Sequence, residues 1–104
     1  MNVIWAPRAA DSLHELEEYI CREFGEIQRQ KYIRKAKETV KKLEMFPEIG
    51  RPEPLLAHRK KPYRSLLMTH KTKLIYYIDK EKNRVVVADC WDSRREPKTA
   101  SKGL

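Results

Sequence analysis

The stretch VVVADCWDSRREP, residues 85–97, opens as a buried strand and ends in charges. Arg94 and Arg95 supply planar guanidinium forks, which bind phosphate oxygens two at a time and stabilise charge developing on phosphorus. Lys73 opens the strand-like run KLIYYID and adds an ammonium. Alternation along a strand places Lys73, Ile75 and Tyr77 on one face, and Val85, Val87, Asp89 and Trp91 together on one face of the last strand. If the hairpin pairs Ile78 with Arg84, Lys73 stands across from Asp89, and three or four cations converge on one sheet edge. Two readings follow. Either a carboxylate holds a cationic phosphate site in place, or Lys73 and Asp89 form a cross-strand ion pair worth under about 1 kcal/mol when exposed. Trp91 and Tyr77 are of the type that stacks on unpaired bases, although Trp91 suits a core position equally.

The remaining chemistry is sparse. The chain has no phosphate-binding Walker loop, no dinucleotide glycine pattern and no zinc-type Cys/His spacing, so neither a metal nor a cofactor is expected. His14, His58 and His70 are isolated, and His70 is the best placed because it lies close to Lys73. Any phosphodiester chemistry is therefore expected to be metal-free.

The elements that must position these groups are legible from periodicity. Residues 2–5 read as a short strand, and Pro7 suits the first turn of a helix. Ala10, Leu13, Leu16, Ile20 and Phe24 make an amphipathic stripe that Gly25 ends. A second helix from about Glu26 carries Ile33, Ala36, Val40 and Leu43 on one face, is ringed by lysine and arginine, and closes at Pro47. The two helices should fold back as a hairpin. Residues 47–62 hold four prolines and read as a surface loop. Runs at about 63–69, 73–79 and 84–91 then predict an antiparallel meander with short polar turns. The expected fold is α+β in the order β-α-α-β-β-β, with the helical hairpin on one sheet face. A single domain should span residues 1–97, followed by a flexible tail over 98–104.

At 104 residues the chain supports one modest core. Two cysteines far apart, and no leader-like segment, predict reduced thiols in a cytoplasmic protein, and no run is long enough to span a membrane. The formal charge of +8 predicts attraction to a polyanion or an acidic protein partner, with solubility alone as the bland alternative.

The β-α-α-β-β-β order, together with WAPRAADSLHELEEYI, FPEIGRP, YRSLLMTHKTKLIYYID and DCWDSRREP, resembles the RelE/ParE superfamily of toxins from bacterial type II toxin–antitoxin modules. The resemblance implies a small basic toxin neutralised by a cognate antitoxin protein. It implies one of two activities: metal-independent cleavage of mRNA on the ribosome, in which a ribose 2′-OH attacks its own phosphate, or poisoning of DNA gyrase without nuclease activity. A basic binding module without catalytic competence is a third reading. Under the nuclease reading, which the sequence favours modestly, Lys73 falls where such toxins usually carry an arginine. Arg64 matches an earlier strand arginine, and Arg94 or Arg95 matches the basic residue after the last strand. Lys60, Lys61, His70, Tyr77 and Trp91 would then line the RNA, with Lys60, Lys61 or His70 moving protons. The chain departs from the pattern in having no Tyr or His near its C-terminus.

Overall fold

The computed structural model describes residues 1–94 and Leu104. The chain runs β1 (Asn2–Trp5), α1 (Pro7–Phe24), α2 (Glu26–Met45), β2 (Arg51–Pro52), a 3-10 turn (Pro54–Leu56), β3 (Arg64–Leu67), β4 (Thr72–Asp79) and β5 (Arg84–Asp92). The strands form one sheet in the order β1-β5-β4-β3-β2. The hairpin, the meander and their order match the expected α+β fold. β1 returns beside β5 in parallel, Val3 opposite Val85 and Trp5 opposite Val87, so the sheet is mixed at that edge. β2 lies within the predicted loop. It pairs antiparallel with β3 at the sheet edge, where a proline's missing N–H leaves no inner bond unmade.

Pro7 starts α1 directly after β1, whose last bond runs from the Ala6 amide to the Val87 carbonyl at 2.9 Å. Gly25, at φ 93°, ends α1 in a conformation that costs a residue with a side chain, and its amide caps the Cys21 carbonyl. The helices bury slightly different faces from those predicted. On α1 the buried residues are Ala9, Leu16 and Ile20, whereas Ala10 and Phe24 are exposed, Phe24 standing edge-on to Tyr19. On α2 the buried stripe is Tyr32, Ala36, Thr39 and Leu43, with Ile33 and Val40 only half-buried. Two polar residues belong to that stripe because their hydroxyls have partners: Tyr32 meets Thr72 Oγ1 at 2.9 Å, and Thr39 donates to the Lys35 carbonyl at 2.7 Å. An apolar periodicity count cannot see such positions.

The main core lies between the helices and the sheet, where Leu74 and Tyr76 of β4 meet Val85, Val87 and Cys90 of β5. A second, smaller cluster of Leu56, Ile75 and Trp91 sits on the opposite face, flanked by Tyr63 and Leu104. Both cysteines are free, Cys90 buried and Cys21 half-buried. Residues 95–103, the end of the predicted domain and most of the predicted tail, lie outside the described residues. Among the described residues no helix is long and apolar enough to cross a membrane.

Candidate functional site

A β-bulge decides which side chains meet. Ile78 pairs with Val85 and Asp79 with Arg84, one residue away from the predicted register. Between Ile75 and Tyr76 the register then shifts again, so that β5 skips Ala88 and Lys73 stands opposite Trp91. The bulge reverses the alternation of β5. Val85 and Val87 therefore face the helices, while Trp91 faces away from them. The predicted Lys73–Asp89 pairing is overturned for the same reason. Asp89 instead serves α1, accepting from Arg8 Nε at 3.0 Å and Ser12 Oγ at 2.8 Å, as well as from the Cys90 amide and the Trp91 indole.

On the face away from the helices, Lys73 pairs with a carboxylate that the sequence reading did not single out, Glu53. The Glu53 side chain is 1% exposed. It caps the 3-10 turn by accepting from the Leu55 amide at 3.0 Å, and its own amide bonds the Tyr63 carbonyl. Burial alone would raise its pKa. The bond from Lys73, the Leu55 amide and the Ser65 hydroxyl outweigh that, and the carboxyl sits below its ordinary value. The Lys73 ammonium also lies 5.4 Å from the Trp91 ring centroid. Beside this pair, Lys61 donates to the Tyr77 hydroxyl at 3.1 Å and lies 4.4 Å from that ring's centroid. Its pKa is raised, chiefly by that hydroxyl. Tyr63 stands edge-on to Tyr77 at 5.7 Å. Lys61, Lys73, Tyr77 and Trp91 thus share one face. Lys60 is exposed in the adjoining loop.

The other predicted cations are placed elsewhere. Arg64 stands opposite Tyr76, on the helix side of the sheet, and donates to the Gly50 carbonyl at 2.6 Å. Tyr76 completes this brace, its hydroxyl donating to the Pro47 carbonyl and accepting from the Gly50 amide. Arg94 turns toward α1, its guanidinium carbon 4.9 Å from the Tyr19 ring centroid. Its Nε and Nη2 each reach Asp92 at 2.6 Å, and Thr72 Oγ1 donates to the same carboxylate at 2.7 Å. Asp92 is fully buried. Burial pushes its pKa up, but the Arg94 and Thr72 bonds prevail and hold it below the usual carboxylate range. Burial also drives the Tyr32 hydroxyl, next in this chain, above its ordinary value. His70 is exposed and lines a cleft of about 460 Å³ with Phe24, Tyr32, Lys71 and Arg94, on the helix side. Arg95 lies outside the described residues. The expected convergence of Arg64, Lys73 and Arg94 at one edge does not occur. Of these three, Lys73 stands on the open face, already paired, and the two arginines brace the helix side.

The sequence holds a signal for Glu53 only in retrospect: an acid between two prolines, PEP, is a turn cap whose carboxylate cannot wander. Asp92, two residues before Arg94, stands at a spacing open to a local fork, yet strand alternation alone does not reveal it.

Comparison with known proteins gives a consistent result. The family model for the ParE toxin of type II toxin-antitoxin system, parDE, matches residues 3–97. No curated protein matches the sequence significantly. Among solved structures, the chromosomal ParDE TA system from P. aeruginosa superposes with a TM-score of 0.69 at 17% identity, covering 88% of this chain and 95% of that one. The YoeB/ParE toxin from Agrobacterium tumefaciens gives 0.60 at 20% identity, covering 88% and 98%. The toxin fold of a YoeB-YefM complex from Staphylococcus aureus gives 0.54 at 23% identity, covering 88% and 94%. At these identities the structural likeness establishes the fold.

Proposed function

Since this chain belongs to the ParE toxin family and is a toxin of the type II toxin–antitoxin class, we propose that it arrests growth by binding DNA gyrase in the cytoplasm and does not cut mRNA. One observation carries this reading: Lys73 on the open sheet face is held by the buried Glu53 carboxylate, while Arg64 and Arg94 brace the helix side. Cleavage by an attacking 2′-OH needs cations converging on one phosphate, where charge develops, and a group nearby to take the proton. Two arginines bound to a carbonyl and a carboxylate on the other side of the sheet do not supply that. Inhibition of an enzyme by surface binding needs no such convergence. A cognate antitoxin is the expected partner, its acidic residues complementing a net charge of +8.

A second reading, ribosome-dependent mRNA cleavage, has one observation in its favour. Glu53 and Lys73 place a carboxylate and an ammonium together on a face that also carries Tyr63, Tyr77 and Trp91. In that reading the buried carboxylate would orient the ammonium, and the ammonium would stabilise the charge on the phosphorane as the 2′-oxygen bonds phosphorus and the 5′-oxygen leaves. Two assays separate the readings. Purified toxin added to gyrase and relaxed plasmid should block supercoiling, and primer extension on mRNA from induced cells should show intact transcripts. Codon-phased cuts with unimpaired supercoiling would overturn the gyrase assignment.

A further inference from the structure

The two helices of the hairpin carry opposite charge. α1 has five acids and two cations, whereas between Lys31 and Lys42 α2 has six cations and a single acid, Glu38. At about 100° per residue, Lys31, Arg34, Lys35 and Lys42 fall within one arc of about 100° along a single flank of α2, beside its buried stripe. All four are exposed, and among the described residues none has an ion-pair partner; the ion pair Arg29–Glu26 lies in the first turn, before this stretch. The row is about 16 Å long at 1.5 Å per residue, on a helix fixed by its own core contacts.

We propose that this face of α2 binds the sugar–phosphate backbone of duplex DNA. A rigid row of cations matches the rigid, regularly spaced phosphates of a duplex backbone, and duplex DNA presents one charge per about 1.7 Å of its axis. Single-stranded RNA is held chiefly by aromatic stacking along a basic groove. This face offers no stacking platform: the only aromatic residue between 31 and 42 is Tyr32, which is buried, and Tyr63, Tyr77 and Trp91 lie beyond the sheet. Contact with phosphates alone carries no base information, so binding is independent of sequence. It goes beyond the gyrase reading and stands without it, because it is measured on bare DNA. In a cell it would concentrate the toxin where a DNA-bound enzyme works.

The test is fluorescence anisotropy of the full chain with a short labelled duplex across a range of NaCl concentrations. Four engaged cations give a slope of log K on log salt of about −3.6, at about 0.9 per phosphate neutralised. The Lys31→Gln/Lys35→Gln variant should bind more weakly and lose about 1.8 of that slope. Lysine and glutamine have similar helix propensity, and a circular-dichroism melt checks that the variant is folded. The Lys80→Gln/Lys82→Gln variant removes the same charge from the exposed β4–β5 turn and should leave the slope unchanged. Equal losses in the two variants would reduce the effect to net charge and overturn the assignment. So would a wild-type protein that ignores the duplex at low salt, including one that binds only an acidic polypeptide. Tighter binding of single-stranded RNA through Lys31 and Lys35 would also overturn it.

Discussion

Lys73 is the residue on which a structural and a catalytic role give opposite forecasts. Replacing it by methionine keeps most of the side-chain volume and removes the ammonium. Glu53 then stays buried with only the Leu55 amide and the Ser65 hydroxyl as partners. Breaking a buried pair from one side costs about 3–5 kcal/mol; Lys73 is 29% exposed, so water softens this toward about 2–3 kcal/mol. In a domain of this size that lowers Tm by about 10–20 °C. The Glu53→Gln/Lys73→Met double variant removes the stranded charge while a glutamine oxygen can still accept from Leu55. It should lie within about 1 kcal/mol of wild type. Acid dependence supplies a second arm. The Glu53 carboxyl is lowered in the folded state, so its contribution is complete above the unfolded value of about 4.3 and is lost as pH falls through the lower folded value. The double variant lacks that part of the acid sensitivity. Thermal melts at pH 7 and across the acid range measure both, with gyrase supercoiling followed in parallel. A double variant that is stable and still inhibits gyrase fits a structural pair. A Lys73→Met variant as stable as wild type would refute the energetic argument, and a stable double variant without activity would make Lys73 a functional cation.

Two further substitutions test what fixes the ends of the sheet. A Cβ on Gly50 would come within 2.6 Å of both the Ser65 carbonyl and the Tyr76 hydroxyl, so Gly50→Ala should cost about 1–3 kcal/mol in a denaturant titration by displacing the brace that Arg64 and Tyr76 make. Asp92→Asn should cost about 3 kcal/mol, because it breaks the Arg94 fork at a fully buried carboxylate. Asp92 is also lowered in the folded protein, so its share of stability is present above about pH 3.9 and lost below it, and the variant's acid-unfolding curve should be correspondingly flatter.

Periodicity was sufficient for the fold and insufficient for the site, for one physical reason. Helices and strands are specified by many residues whose errors average out: misassigning Ala10 and Phe24 left α1 in place, and polar Tyr32 and Thr39 did not hide α2. Convergence of charges depends on single registers and local partners, where one error is final. The bulge that skips Ala88 carried Asp89 away from Lys73 and brought Trp91 to it, and no residue type in VVVADCWD marks a bulge. Partners that strand alternation does not assign were harder still. Arg94 is claimed by Asp92 two residues earlier, and Lys73 by Glu53 within a proline-flanked turn. A cation's value to a ligand is what remains after its own protein has bound it. By that measure the run of arginines after β5, which suggested phosphate chemistry, contributes in Arg94 a brace between strand and helix. Among the cations that no acid claims are Lys31, Arg34, Lys35 and Lys42, which the helical pattern sets along one exposed flank of α2.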